Sequence, residues 1–285
     1  MTTARKLREL IAAPELLVAP GAFDGITARM VEQAGFTCAY MTGAGSAASM
    51  GFPDYGLVTM TEMVQNAARM ANVLSIPLVA DADAGFGNEL NVYRAVREYE
   101  RAGVAGIHIE DQVDPKRCGH LDGKEVISQS DYIAKVRAAV DARRDPDFLI
   151  IARTDARAVT GFDDALARAH TAVDAGADMV FVEALETVDE VKALPGLVQA
   201  PALFNMVLGG KTPVSDLDLV EASGYAMAIV PGMLMRVVMR ACDESLGALR
   251  RREIVPAEIL KPRPADVFAR VGGNEWTPRR TKYRI

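Results

Sequence analysis

The chain has 285 residues, half of them hydrophobic and a quarter charged, with 32 Lys and Arg against 38 Asp and Glu for a net charge of −6. This composition excludes a disordered or collagen-like chain, and the acid excess disfavours general nucleic-acid binding, which draws its affinity from a basic surface. No run reaches the roughly 18 apolar residues of a membrane span, and the opening MTTARKLREL lacks the apolar stretch of a secretory signal. Three scattered cysteines (Cys38, Cys118, Cys242) imply no disulfide framework and fit the reducing cytoplasm.

In chain order, apolar β-rich runs fall at Leu16–Phe23, Cys38–Gly43, Pro77–Asp83, Gly106–Asp111, Phe148–Asp155, Met179–Ala184, Pro201–Met206 and Tyr225–Pro231. They are nearly continuous rather than alternating, as expected of parallel strands buried on both faces. Helix-period stretches lie between them, at Thr61–Asn72, Leu90–Ala102, Ser130–Arg143, Asp163–Ala175 and Val214–Ala222, several closed by a glycine stop such as Gly103 or Gly176. Eight β–α units predict an α/β fold of the (β/α)8 TIM-barrel type over residues 1–250. A doubly wound open sheet is the alternative, but GAFDG after the first run is no GxGxxG phosphate loop.

Two segments break the pattern. Gln112–Ser128 is a polar connection without a helical period, and a loop of that length is usually functional, often a lid. From Val255 the chain carries Pro256, Pro262, Pro264, Gly272, Gly273 and Pro278, so residues 251–285 are predicted to be an irregular extension or subunit-contact arm, with two helical turns over Ala265–Val271.

In a barrel enzyme the chemistry sits at the C-terminal strand ends. Those ends here are Thr42-Gly43, Asp81-Ala82-Asp83, Glu110-Asp111, Arg153-Thr154-Asp155, Glu183 and Asn205. Asp81 and Asp83 are two apart on a strand and so share a face. Carboxylates brought together repel unless a cation or a shared proton relieves them. Oxygen donors in this number suit Mg²⁺, with Mn²⁺ as the alternative, and the absence of a His/Cys cluster argues against zinc. Glu110 on the next strand and Asp54 in the loop after the second run complete such a shell. A carboxylate pair working as general acid and base without metal is the competing account. Arg153 offers a planar cationic fork for a carboxylate or oxyanion, or a salt bridge to the rim acids. In the polar connection, Lys116-Arg117-Cys118-Gly119-His120 places a thiol between cations, which predicts an easily ionised cysteine. Cys38 and Cys242 are expected to be packing residues.

The set DADAGFG (Asp81–Gly87), HIEDQ (His108–Gln112), PKRCGH (Pro115–His120), IIARTDA (Ile150–Ala156), FVEA (Phe181–Ala184) and GGKTP (Gly209–Pro213) resembles the isocitrate lyase/phosphoenolpyruvate mutase superfamily. The resemblance implies Mg²⁺ held by Asp81 and Asp83 with Asp54 and Glu110 assisting through water, and a lid that closes over the substrate. It implies Cys118 as acid/base, Arg153 as stabiliser of the developing carbonyl oxygen, and Thr42, Gly43 and Ala44 as carboxylate binders. Gly119, His120, Glu183 and Asn205 would hold the remaining substrate groups. The implied reaction is cleavage of a 2-hydroxy di- or tricarboxylate to an α-keto acid and a carboxylate, with FVEA pointing to methylated substrates such as 2-methylisocitrate or 2,3-dimethylmalate. PKRCGHLDGK and NMVLGGKTP also resemble a phosphorus–carbon mutase branch, that of carboxyvinyl-carboxyphosphonate. A barrel that only binds a dicarboxylate is the reading from another class. The expected partner is a small carboxylate, with no nucleic acid and no membrane, and the expected assembly is a homo-oligomer.

Overall fold

The computed structural model describes residues 1–253 and 261–284, so Val255 and Pro256 of the predicted tail lie outside the described residues. Two compact units are present, residues 1–233 and 234–285.

In the first unit the eight apolar runs all form strands: β1 (Leu17–Ala22), β2 (Ala39–Met41), β3 (Leu78–Asp81), β4 (Gly106–Glu110), β5 (Leu149–Thr154), β6 (Met179–Val182), β7 (Leu203–Asn205) and β8 (Met227–Val230). They pair in the order β6-β5-β4-β3-β2-β1-β8-β7, each paired ladder parallel. A parallel bridge between Val180 and Ala202 joins the two ends of that order, so the sheet closes on itself as a (β/α)8 barrel. Helices α1 (Thr3–Ile11), α2 (Gly25–Gln33), α3 (Gly43–Ser49), α4 (Met60–Ala71), α5 (Glu89–Arg101), α6 (Gln129–Ala142), α7 (Phe162–Asp174), α8 (Val188–Leu197) and α9 (Leu217–Ala222) accompany them. The five helical stretches expected from periodicity are α4, α5, α6, α7 and α9, each starting and ending within a few residues of expectation. Gly103 (φ +87°) and Gly176 (φ +101°) take the left-handed turn that ends α5 and α7, a conformation side chains with a Cβ resist.

Alternation along the strands decides what the barrel encloses. Leu17, Ala19, Cys38, Val79, Leu149, Ile151, Met179, Leu203 and Met227 belong to one buried cluster, into which α1 sends Ala4, Leu7 and Ile11. Those three fall on one helical face, and Thr2 starts the helix by accepting a hydrogen bond from Arg5 N–H. Leu7 is fully buried there. Leu7→Ala is therefore expected to destabilise the barrel by about 2–5 kcal/mol, the usual cost of emptying a well-packed leucine site. Thermal or denaturant unfolding of the variant measures it. Above the aliphatic layer, Tyr40 stacks on His108 (ring centroids 5.7 Å apart) and His108 meets Phe181 edge-on (5.5 Å). One step further along the same inward-facing parity the side chains are charged: Asp81, Glu110, Arg153 and Glu183.

The second unit holds all but the first residue of the helix Met233–Arg250, together with helices Pro264–Arg270 and Gly273–Lys282. It carries exposed apolar side chains, among them Val237, Met239, Leu249, Phe268 and Trp276. Cys242 is exposed rather than packed in the chain, whereas Cys38 is buried as expected. Among the described residues no helix is long and apolar enough to cross a membrane.

Candidate active site

Arg153 is the hub of the barrel mouth. Parallel pairing sets Glu110 beside Arg153 and Arg153 beside Phe181, and the guanidinium lies over the Phe181 ring at 5.0 Å from its centroid. Three carboxylates surround it: Asp155 accepts from Nε at 2.9 Å and from Nη2 at 3.3 Å, Glu110 Oε2 stands 3.1 Å from Nη1, and Glu183 Oε2 stands 3.4 Å from Nη2. Burial opposes its charge, but Asp155, Glu110 and Glu183 together hold its pKa well above the ordinary value, so it stays a cation. Both functions considered for this residue from sequence, salt bridge and anion fork, are compatible with that placement.

Asp81 and Asp83 lie on one side of the hub. Asp81 Oδ1 accepts from Asp83 N–H (2.9 Å), and Oδ2 accepts from Gly43 N–H (3.2 Å) and the Tyr40 hydroxyl (3.4 Å). Burial pushes the Asp81 pKa up, but facing positive charge outweighs it and brings the value to about 2. His108 contributes only when protonated, and burial lowers its own pKa to about 4, so near neutrality Lys116 and Arg153 supply the effect. Asp83 behaves oppositely: burial and the Asp81 charge outweigh Lys116 and raise it to about 6. Burial raises Glu110 well above the carboxylate range despite Arg153.

The connection between β4 and α6 has no helix, as expected, and folds over the mouth. Gln112 grips Arg117 by its backbone, accepting from its N–H (3.0 Å) and donating to its carbonyl (2.9 Å). Val113 N–H donates to Glu125 O (2.9 Å), joining the arms of the loop. Cys118 N–H donates to the carbonyl of Asp54 (3.2 Å), which ties the loop to the segment after α3. Lys116 turns inward, with Nζ 2.5 Å from Asp54 Oδ1 and 2.7 Å from Asp83 Oδ1, while Arg117 is exposed. A cleft of ≈ 570 Å³ reaches Asp83 and Lys116 from the side of Thr59, Phe86 and Arg94.

The Cys118 thiol corrects the expectation drawn from its neighbours in sequence. Burial raises its pKa above the ordinary value, with Asp54 and Glu183 adding to the rise and only the His120 backbone and Arg153 opposing it. Lys116 is engaged by carboxylates and Arg117 faces away, so neither promotes ionisation. Its surroundings thus favour the protonated thiol over the thiolate.

His120 and Glu183 close the far side. His120 Nδ1 accepts from Lys211 N–H (3.0 Å), which leaves the ring proton on Nε2, 2.9 Å from Glu183 Oε1. Glu183 Oε2 accepts from Asn205 Nδ2 (2.9 Å). Burial alone would raise the Glu183 pKa, but Arg153 and His120 bring it down and keep it ionised. Thr42 caps α3 by accepting from Gly45 N–H (3.3 Å), and Ala44 lies in the first turn of that helix. Gly119 is the one lid position where a side chain is excluded by contact: a Cβ would stand 2.6 Å from Arg153 Nη2 and 2.6 Å from Glu183 Cγ.

The predicted site residues thus gather around Arg153, Asp83 and the lid. Sequence reasoning missed Lys116 and Lys124 as buried cations and Lys211 as a second contact of the lid. The available signal was the spacing of the lysines around the cysteine, which does not say which of them point inward.

The acids can be tested as a cation site from their own state. Asp83 Oδ1 and both carboxylate oxygens of Glu110 are buried without an aligned hydrogen-bond donor, although Lys116 and Arg153 stand near them. Unsatisfied hard oxygens beside acids with raised pKa values fit a divalent cation. Among the described residues no three His, Cys, Asp or Glu side chains converge as a direct ligand cage.

Comparison with known proteins gives a consistent result. A family model described as phosphoenolpyruvate phosphomutase matches residues 7–250. The chain is 47% identical to the 2,3-dimethylmalate lyase of Eubacterium barkeri over 251 residues, covering 88% of this chain and 87% of that protein. It is 45% identical to the 2-methylisocitrate lyase of Aeropyrum pernix over 246 residues, covering 86% and 79%. Among solved structures it is similar to a crystal structure of 2,3-dimethylmalate lyase, a member of the PEP mutase/isocitrate lyase superfamily, with a TM-score of 0.94 at 37% identity, covering all of this chain and 96% of the other.

Proposed function

Because the chain belongs to the phosphoenolpyruvate phosphomutase family, and the relatives it matches at 47% and 45% identity are carbon–carbon lyases, we propose that it cleaves a methylated 2-hydroxy di- or tricarboxylate of the 2,3-dimethylmalate or 2-methylisocitrate type. The observation that carries this reading is the seating of the Cys118-Gly119-His120 segment of the loop on the buried Arg153 guanidinium, with no room for a Cβ at Gly119 between them.

The substrate is a polyanion, and the acidic side chains of Asp54, Asp81, Asp83, Glu110, Asp155 and Glu183 outnumber the three side-chain cations they face, Lys116, Lys124 and Arg153. Such a pocket needs further positive charge before an anion can enter. Asp81 and Asp83, assisted by Asp54 and Glu110, would hold Mg²⁺ or Mn²⁺ mostly through water. When bound, the metal acts as a Lewis acid and template for the keto-acid oxygens.

Arg153 then faces the oxygen that becomes the keto-acid carbonyl, and its fork is fixed by Asp155 and the Phe181 ring, so little reorganisation is needed. The hydroxyl proton passes to an ionised rim carboxylate and the adjacent C–C bond breaks. The departing half is an aci-carboxylate, to whose carbon Cys118 delivers a proton. His120, whose Nε2 lies 2.9 Å from Glu183 Oε1, and Asn205, which donates to Glu183, would take the remaining carboxylate or hydroxyl groups, and Thr42, Gly43 and Ala44 at the start of α3 would bind a carboxylate. The lid excludes water while the reactive half exists. Exposed apolar side chains on residues 234–285 support association into a homo-oligomer.

Metal-stripped protein should release no keto acid from 2-methylisocitrate, 2,3-dimethylmalate or isocitrate, and addition of Mg²⁺ or Mn²⁺ should restore release from at least one methylated substrate. Fully metal-loaded protein inert toward all three would contradict the proposal. The mutase alternative, which shares the family description, would instead show a new carbon–phosphorus resonance by ³¹P NMR on incubation with a carboxyphosphonate.

A further inference from the structure

Asp155 is a fully buried carboxylate shared by two cations, one from a strand and one from the lid. Arg153 approaches from the barrel wall, through Nε to Oδ2 (2.9 Å) and Nη2 to Oδ1 (3.3 Å). Lys124 approaches from the lid, with Nζ 2.8 Å from Oδ1. The same ammonium donates to the carbonyl of Gly119, five residues back along the loop. A continuous chain of contacts therefore runs from the Cys118-Gly119-His120 segment through Lys124 and Asp155 to Arg153. Gly119 itself lies against the Arg153 guanidinium, with no room for a Cβ between them.

The Asp155 end is anchored. Its N–H donates to Asp111 Oδ1 (2.8 Å), and Asp111 Oδ2 also accepts from the Thr154 hydroxyl (2.6 Å) and Arg168 Nη1 (3.1 Å). The Lys124 end is on the loop, which is also tied through Lys116 to Asp54 and Asp83 and through His120 to Glu183, whereas the Lys211 Nζ to Asp122 contact at 2.6 Å involves a carboxylate 94% exposed and contributes little. A buried ammonium without a carboxylate partner is costly. Lys124 is consequently either paired with Asp155 beneath a closed lid or in water with the lid open.

We propose that Lys124 and Asp155 are positioning residues that set residues 118–120 of the lid against Arg153, so that the cysteine acid and the anion-binding fork are assembled together. The turnover part rests on the lyase reading above; the positional part does not. Cys118 alkylation by iodoacetamide reads it without substrate, in a Cys242→Ser background because Cys242 is exposed and Cys38 is buried. Lys124→Met is expected to accelerate Cys118 alkylation about ten- to a hundredfold, the shift in a closed–open equilibrium that a lost charge-assisted hydrogen bond supports, and to lower kcat by a similar factor. Removing a positive charge disfavours a thiolate, so electrostatics alone predict slower alkylation, and a rise reports opening. Lys124→Arg, which keeps the charge, should alkylate more slowly than Lys124→Met. Should Lys124→Met not fold, Asp155→Asn must show the same acceleration. Alkylation and kcat both unchanged in a folded Lys124→Met protein, with the parent turning over a hydroxy-carboxylate, would overturn the proposal and leave the lyase reading intact. Faster alkylation in a variant whose parent turns over none of the substrates would uphold the positioning role and sink the lyase reading.

Discussion

Cys118→Ser is expected to lower kcat by about 10²–10⁴-fold, the range over which a positioned acid contributes to a proton transfer, with little change in KM. Serine keeps nearly the same size and leaves Arg153, His120, Glu183 and Asn205 where they are, so binding should survive. Its hydroxyl is a far weaker acid than the thiol, and protonation of the aci-carboxylate carbon is the step that suffers. The thiol suits that step because its surroundings keep the proton on it: burial, Asp54 and Glu183 all raise its pKa. Retention of wild-type kcat by a folded Cys118→Ser protein would remove the residue from the chemistry. Steady-state kinetics on the best methylated substrate decide the matter.

Arg153 should give the second large effect, of two separable kinds. Arg153→Lys keeps a charge but loses the planar fork held by Asp155, and it is expected to lower kcat/KM by about 10²–10³-fold, as for loss of an oxyanion donor. Arg153→Met removes the charge and leaves Asp155, Glu110 and Glu183 facing one another in a buried site. An uncompensated buried charge costs about 3–5 kcal/mol, so this variant should also unfold at markedly lower denaturant concentration. Kinetics on the first and equilibrium unfolding of the second separate the catalytic from the structural contribution. A fully active Arg153→Lys protein would show that the fork geometry is not used.

The barrel was legible because parallel strands covered on both faces are continuous apolar runs, and their charged ends fall where inward-facing positions reach the mouth. Asp81, Glu110, Arg153, Glu183 and Asn205 follow from that rule alone. What was not legible depends on the path of a loop. Lys116, Arg117 and Lys124 are alike in sequence, yet Lys116 and Lys124 are buried against carboxylates and Arg117 is exposed. The Cys118 thiol was expected to ionise because cations flank it in the chain, whereas in space its charged surroundings include Asp54 and Glu183. α1 had no strand-like or glycine-stopped signature, and its three apolar residues make sense only once the cluster that receives them exists. The resemblance names Thr42, Gly43 and Ala44 as carboxylate binders but carries no sign that the Gly43 N–H also donates to Asp81, which ties the end of β2 to the acids of β3.

Turnover in deuterium oxide tests the central claim most directly, because a protein acid that exchanges with solvent must leave its isotope on the carbon released by C–C cleavage. With 2,3-dimethylmalate and Mg²⁺, the account predicts pyruvate together with propionate carrying one deuterium next to its carboxylate, and that label should disappear with turnover in Cys118→Ser. Propionate formed without deuterium at that carbon, or labelled at an undiminished rate by Cys118→Ser, would contradict it.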